Sequence, residues 1–185
     1  MFGVVQKKGF TLIEVLITVV LIGILSTMGV ASLMGAAENA KIEGAGKDTA
    51  AFMERIAKDS KRMSKPLCLK RANDQRIDVY KSDDCTDPLA DSLYDHLDID
   101  APMRFVAECP QVGGIEGCNS SGSCEANLLD GTAGVFKPKI GLSSLPVFGY
   151  VCIQFALKDH YAIALKTSSE NFMKPLTYEG GEWSW

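Results

Sequence analysis

Few side chains in this 185-residue chain could do chemistry, and they fall into four groups. The first is one carboxylate. Glu14 is the only charge between Leu12 and Ala37, and no Lys or Arg stands between Lys8 and Lys41. Placing a carboxylate inside a bilayer costs on the order of 2.5–3.5 kcal/mol, so Glu14 calls for a partner. The second group is the cysteines Cys68, Cys85, Cys109, Cys118, Cys124 and Cys152. They contain no Cys-x-x-Cys pair, and His96 and His160 are the only histidines, so disulfides are expected rather than zinc. The connectivity stays open from sequence. Pairing Cys68 with Cys85 would close a short loop, leaving the other four to staple the Gly/Ser-rich stretch 113–122 to a sheet.

The third group is the acidic run Asp83, Asp84, Asp87, Asp91, Asp95, Asp98 and Asp100. Calcium prefers clustered oxygens, which makes Asp83, Asp84, Asp98 and Asp100 its candidates. No EF-hand spacing exists, and helix capping by Asp87 with a solvated face explains the run equally, so no metal is assigned. The fourth group is His160 beside Asp159. Neighbours on a turn point apart, and no nucleophile elbow accompanies them. No catalytic residue, cofactor or enzymatic role is expected. Trp183 and Trp185 could meet a surface or a sugar, but their spacing suits one face of an edge strand. Asn119-Ser120-Ser121 matches a glycosylation sequon, a short and common pattern.

The elements that carry these groups divide the chain. Residues 12–37 are apolar enough and, at roughly 39 Å as a helix, long enough to cross a hydrocarbon core of about 30 Å. Lys7 and Lys8 precede the run, so the N-terminus is expected in the cytoplasm and the cysteines on the oxidising side. A cleaved secretory signal would have a shorter apolar core and no Glu14. The net charge of −4, with no basic run, argues against nucleic acid as a partner.

The stretch Lys7-Lys8-Gly9-Phe10-Thr11-Leu12-Ile13-Glu14, with the apolar run after it, resembles the N-terminal signal of type IV prepilins and pseudopilins. The resemblance covers about the first 30 residues. It implies that a membrane peptidase cuts between Gly9 and Phe10 and methylates the new amino terminus of Phe10, with Lys7 and Lys8 as the leader charge. It also implies that Glu14 and the Phe10 amine pair between neighbouring subunits during assembly. An amine and a carboxylate that are each costly to bury would then offset one another. The implied partners are further copies of the chain or other pilins, the prepilin peptidase and methyltransferase, an inner-membrane assembly platform, and the membrane before assembly. The implied location is the bacterial inner membrane, then an extracellular pilus or a periplasmic pseudopilus. Many major pilins carry a Pro near the position of Ala31, and this chain has none before Pro66. Type IV pilus subunit is the first reading. A type II secretion pseudopilin, a minor pilin and a pilin-anchored adhesin are the alternatives.

Ile42, Ala45, Thr49, Phe52, Met53, Ile56, Ser60 and Met63 recur at three- and four-residue steps. They extend the helix as an amphipathic rod, with Gly44 and Gly46 as the place for a bend and Pro66 as its latest end. Short strands are expected at Ile77–Val79, Met103–Ala107, Val147–Leu157, Tyr161–Lys166, Leu176–Glu179 and Glu182–Trp185. A helix is expected to open at Asp87–Pro88, with Leu89, Leu93 and Leu97 on one face. The expected architecture is α+β, with one small antiparallel sheet on the long helix. The segments are a leader (1–9), a transmembrane and polymerisation helix (10–37), its amphipathic continuation (38–63) and a disulfide-stabilised head (64–185).

Overall fold

Helix α1 spans Leu12–Met63. The computed structural model describes residues 10–86, 88, 92–110, 127–129, 134–138, 141–142, 149–158, 160–166, 173–179 and 181–184, with the side chains of 27–32 and 141–142 outside that description. The chain forms two compact units, Met1–Asn39 and Ala40–Trp185.

From Leu12 to Leu25 α1 carries apolar side chains on every face, with Glu14 and Thr18 as the polar exceptions. Phe10, Leu12, Ile13, Val15, Leu16, Ile17, Val19 and their neighbours through Leu25 are exposed, from 50% at Ile17 to 87% at Phe10. Among the described residues no helix is long and apolar enough to cross a membrane.

In the second unit α1 buries Ile42, Ala45, Thr49, Phe52, Met53, Ile56 and Ser60, the stripe that the periodicity predicts. The helix is unbroken through Gly44 and Gly46. Its end is a Schellman motif. Ser64 takes a positive φ of 53°, its N–H donates to the Lys61 carbonyl, and the Lys65 N–H donates to the Ser60 carbonyl, both at 3.3 Å. Pro66 then stops any continuation. The Ser60 hydroxyl lies 2.8 Å from the carbonyls of Lys65 and Phe136, tying the helix end to the sheet.

Among the described residues ten strands follow: β1 (Leu67–Asn73), β2 (Arg76–Tyr80), β3 (Leu93–Asp98), β4 (Met103–Val106), β5 (Val135–Lys137), β6 (Gly141–Leu142), β7 (Gly149–Phe155), β8 (Tyr161–Lys166), β9 (Lys174–Glu179) and β10 (Glu182–Ser184). They make two five-stranded antiparallel sheets where one was expected. Sheet A has the order β3-β2-β1-β5-β6 and sheet B the order β10-β9-β8-β7-β4. The main core joins the helix stripe to Leu67, Leu69, Ile77 and Val79 of sheet A and to Phe105, Val151, Ile153, Ala162 and Ala164 of sheet B. A second cluster, Tyr150, Cys152, Ile163, Leu165 and Leu176, uses the alternate residues of β7, β8 and β9. Sheet B is therefore buried on both faces, and all seven residues of β7 are buried.

One expected element is corrected. Leu93 and Leu97 belong to strand β3, not to a helix opening at Asp87. Asp87, Leu89 and Asp91 lie outside the described residues. The four-residue leucine spacing is a weak local preference, and the ladder with β2 outweighs it. Asp78 pairs with His96 and Val79 with Asp95, Tyr94 donates to Asp59 at 3.1 Å, and Arg55 meets Asp95 at 2.7 Å. Strand β1 escaped the sequence reading. Its first three residues are buried on both faces because Cys68 turns toward Cys85 and Val135, away from the helix, so no polar alternation marks it.

Candidate functional site

The start of α1 is built by two residues. Thr11 is the N-cap: its carbonyl accepts the Val15 N–H, the first turn's bond. The Thr11 hydroxyl accepts from the Glu14 N–H at 3.3 Å. In return Glu14 Oε2 accepts from the Thr11 N–H at 2.9 Å and from the Thr11 hydroxyl at 2.8 Å. This is a reciprocal capping box, which satisfies helix-terminal donors that would otherwise be bare. The one charge of the apolar run is thus held inside its own first turn, four residues after Phe10 in the sequence.

The polar side chains farther along behave alike. Thr18 donates to the Val15 carbonyl at 2.8 Å, and Ser26 to the Ile22 carbonyl at 2.7 Å. Both hydroxyls are spent on the helix's own backbone, so neither makes a polar face. A helix apolar all round needs lipid or other helices around it. Gly9, Lys7 and Lys8 lie outside the described residues.

Residues 5–30 match the family described as "Prokaryotic N-terminal methylation motif". The segment is a prepilin-type methylation motif. It is the motif of type IV pilin-like and pseudopilin precursors, and it implies processing by a prepilin peptidase and assembly into pilus-like filaments. No curated protein and no solved structure matches the chain.

The other candidate residues fall in the second unit. Cys68 is joined to Cys85, and Cys109 to Cys152, with Cα atoms 5.5 and 5.8 Å apart. The first bond fastens the loop after β2 to β1, and the second ties the chain after β4 to β7. Cys118, Cys124 and the sequon at Asn119 lie outside the described residues.

Among the described residues no three His, Cys, Asp or Glu groups come together as metal ligands. Asp84 is turned to Thr86, whose hydroxyl and N–H hold its carboxyl below the usual range. Asp98 faces His96 at 3.4 Å and Arg76 at 4.0 Å. Asp98 and Asp100 line a groove of about 670 Å³ with Lys41 and Asp48. Asp83 and Asp84 are not among the residues that line that groove.

His160 lies 6.2 Å from the Phe155 ring, and Asp159 is outside the described residues. Trp183 is half-buried on β10. It packs 5.1 Å from the Tyr178 ring, and its indole N–H donates to the Pro110 carbonyl at 3.1 Å. It therefore holds the edge of sheet B to the chain after β4. Trp185 lies outside the described residues.

Sequence reading missed the Thr11 half of the capping box, although Thr11-x-x-Glu14 before an apolar run is its ordinary signal.

Proposed function

We propose that this chain is a structural subunit of a type IV pilus. Its precursor is held in the inner membrane by residues 10–37 with the N-terminus in the cytoplasm. It is cut between Gly9 and Phe10, methylated on Phe10, and polymerised through α1. The observation that carries the reading is the first half of that helix. Its exposed surface is apolar, the Thr18 and Ser26 hydroxyls are turned onto its own backbone, and Glu14, the one charge of residues 12–37, is held in its first turn by Thr11. Such a helix is stable in lipid, and equally among copies of itself once a paired amine and carboxylate set the register.

The chain acts by assembly and not by catalysis. The second unit supplies a head tied by disulfides, which suits exposure outside the cytoplasm. The chain lacks a proline near Ala31, which favours a type II secretion pseudopilin or a minor pilin as the second reading.

Shearing cells and detecting this chain in the sheared and membrane fractions tests the assignment. A dominant sheared species, lost when the peptidase gene is deleted, supports the pilus. A processed chain confined to the membrane supports the pseudopilin or minor-subunit reading instead.

A further inference from the structure

Among the described residues, sheet A ends at β3, whose outer side pairs with no described strand. Such an edge is a template for a second chain. The register shows which groups face it. The Ile99 N–H donates to the Gln75 carbonyl at 2.9 Å, and the ladder continues as Arg76 with Asp98, Ile77 with Leu97, Asp78 with His96 and Val79 with Asp95. Bonded and non-bonded pairs alternate along an antiparallel ladder. The peptide groups of Leu97 and Asp95 therefore point to β2, and that of His96 points to the free edge.

That outward N–H is already occupied. Asp95 Oδ1 accepts it at 2.8 Å. The other oxygen, Oδ2, accepts from Arg55 of α1 at 2.7 Å, which fixes the carboxylate in place. We propose that Asp95 closes the free edge of sheet A to strand addition by a second copy of this chain. The blocked donor sits in the middle of the six-residue strand, where an incoming strand would need it, and a fixed negative charge stands beside it. A subunit that polymerises brings many heads together at high local concentration. An open sheet edge in such a crowd would pair with its neighbour. The blocked donor is read from the geometry of the second unit, and the use given to it here rests on the proposed assembly.

The test uses the full chain in detergent, with a benzophenone-bearing phenylalanine replacing Leu93, which is 44% exposed at the start of β3. Cross-linked peptides are identified by mass spectrometry. Asp95→Ala should give β3-to-β3 cross-links several-fold above the parent chain. Asp95→Asn, which keeps an acceptor for the His96 N–H but loses the charge and the second oxygen that meets Arg55, should give a smaller increase than Asp95→Ala. No increase in Asp95→Ala, or an equal increase in both variants, overturns the proposal. Amide hydrogen exchange on the parent chain gives a reading that does not depend on how the variants fold. The His96 amide should exchange about tenfold or more slowly than an unprotected amide. Exchange at the unprotected rate would overturn the cap.

Discussion

Gly44 and Gly46 stand two residues apart on one helix, and the structure leaves room for a side chain at the first but not for a large one at the second. A Cβ on Gly44 would meet nothing within 4 Å. Gly44→Ala therefore removes backbone freedom from the unfolded chain and improves helix propensity without a steric cost. It should stabilise by about 0.5–1 kcal/mol. A Cβ on Gly46 would lie 3.1 Å from the Ala162 Cβ and 3.9 Å from the Pro175 Cβ. Here the helix lies close to β8 and β9, and Ala162 is fully buried. Gly46→Leu would force the sheet away or an off-rotamer side chain, at a cost of about 1–3 kcal/mol. In a unit of this size each kcal/mol shifts the melting temperature by roughly 2–4 °C. Thermal unfolding in detergent, followed by tryptophan fluorescence, should show Gly44→Ala melting slightly above the parent and Gly46→Leu clearly below it. Equal destabilisation by both would mean that the glycines serve as a joint bend. Tolerance of leucine at Gly46 would refute the close approach.

Three further outcomes are expected. Ser60→Ala should lower stability by about 1–3 kcal/mol, because the buried Phe136 carbonyl loses its hydroxyl donor at 2.8 Å; an unchanged urea midpoint would count against that staple. Glu14→Ala should leave processing intact but reduce filament yield, since it removes both the carboxylate for the amine and the acceptor half of the capping box; normal yield from sheared cells would refute the pairing role. Gly9→Val should block cleavage by crowding the scissile bond, and finding mature chain starting at Phe10 in that variant would contradict the processing account.

Much of the fold was legible where one physical signal dominated. The stripe from Ile42 to Ser60 follows the helical period because one face alone meets the core. The hairpins around Lys158 and Gly181 were legible because turn residues separate two strands that each pair locally. What failed was set by distant partners. Leu93–Asp98 is a strand because β2 and the helix side chains Arg55 and Asp59 bind it, and nothing within the segment announces those partners. The second sheet was hidden for a related reason. β7 is buried on both faces and so lacks polar alternation, which conceals how many layers it serves. At the candidate site the lone Glu14 and the all-round apolar run could be read directly, because a charge in such a run has few physical excuses. The reciprocal bonds with Thr11 needed the geometry.

The proposed processing cuts the chain before Phe10, and assembly then runs through α1, which starts at Leu12. Intact-mass measurement of the chain from sheared filaments and membranes addresses it most directly. The account predicts a chain that starts at Phe10, carries one added methyl group, and is at least four hydrogens light for the bonds Cys68–Cys85 and Cys109–Cys152. A chain that retains Lys7 and Lys8, or that begins beyond Ala37, would contradict it.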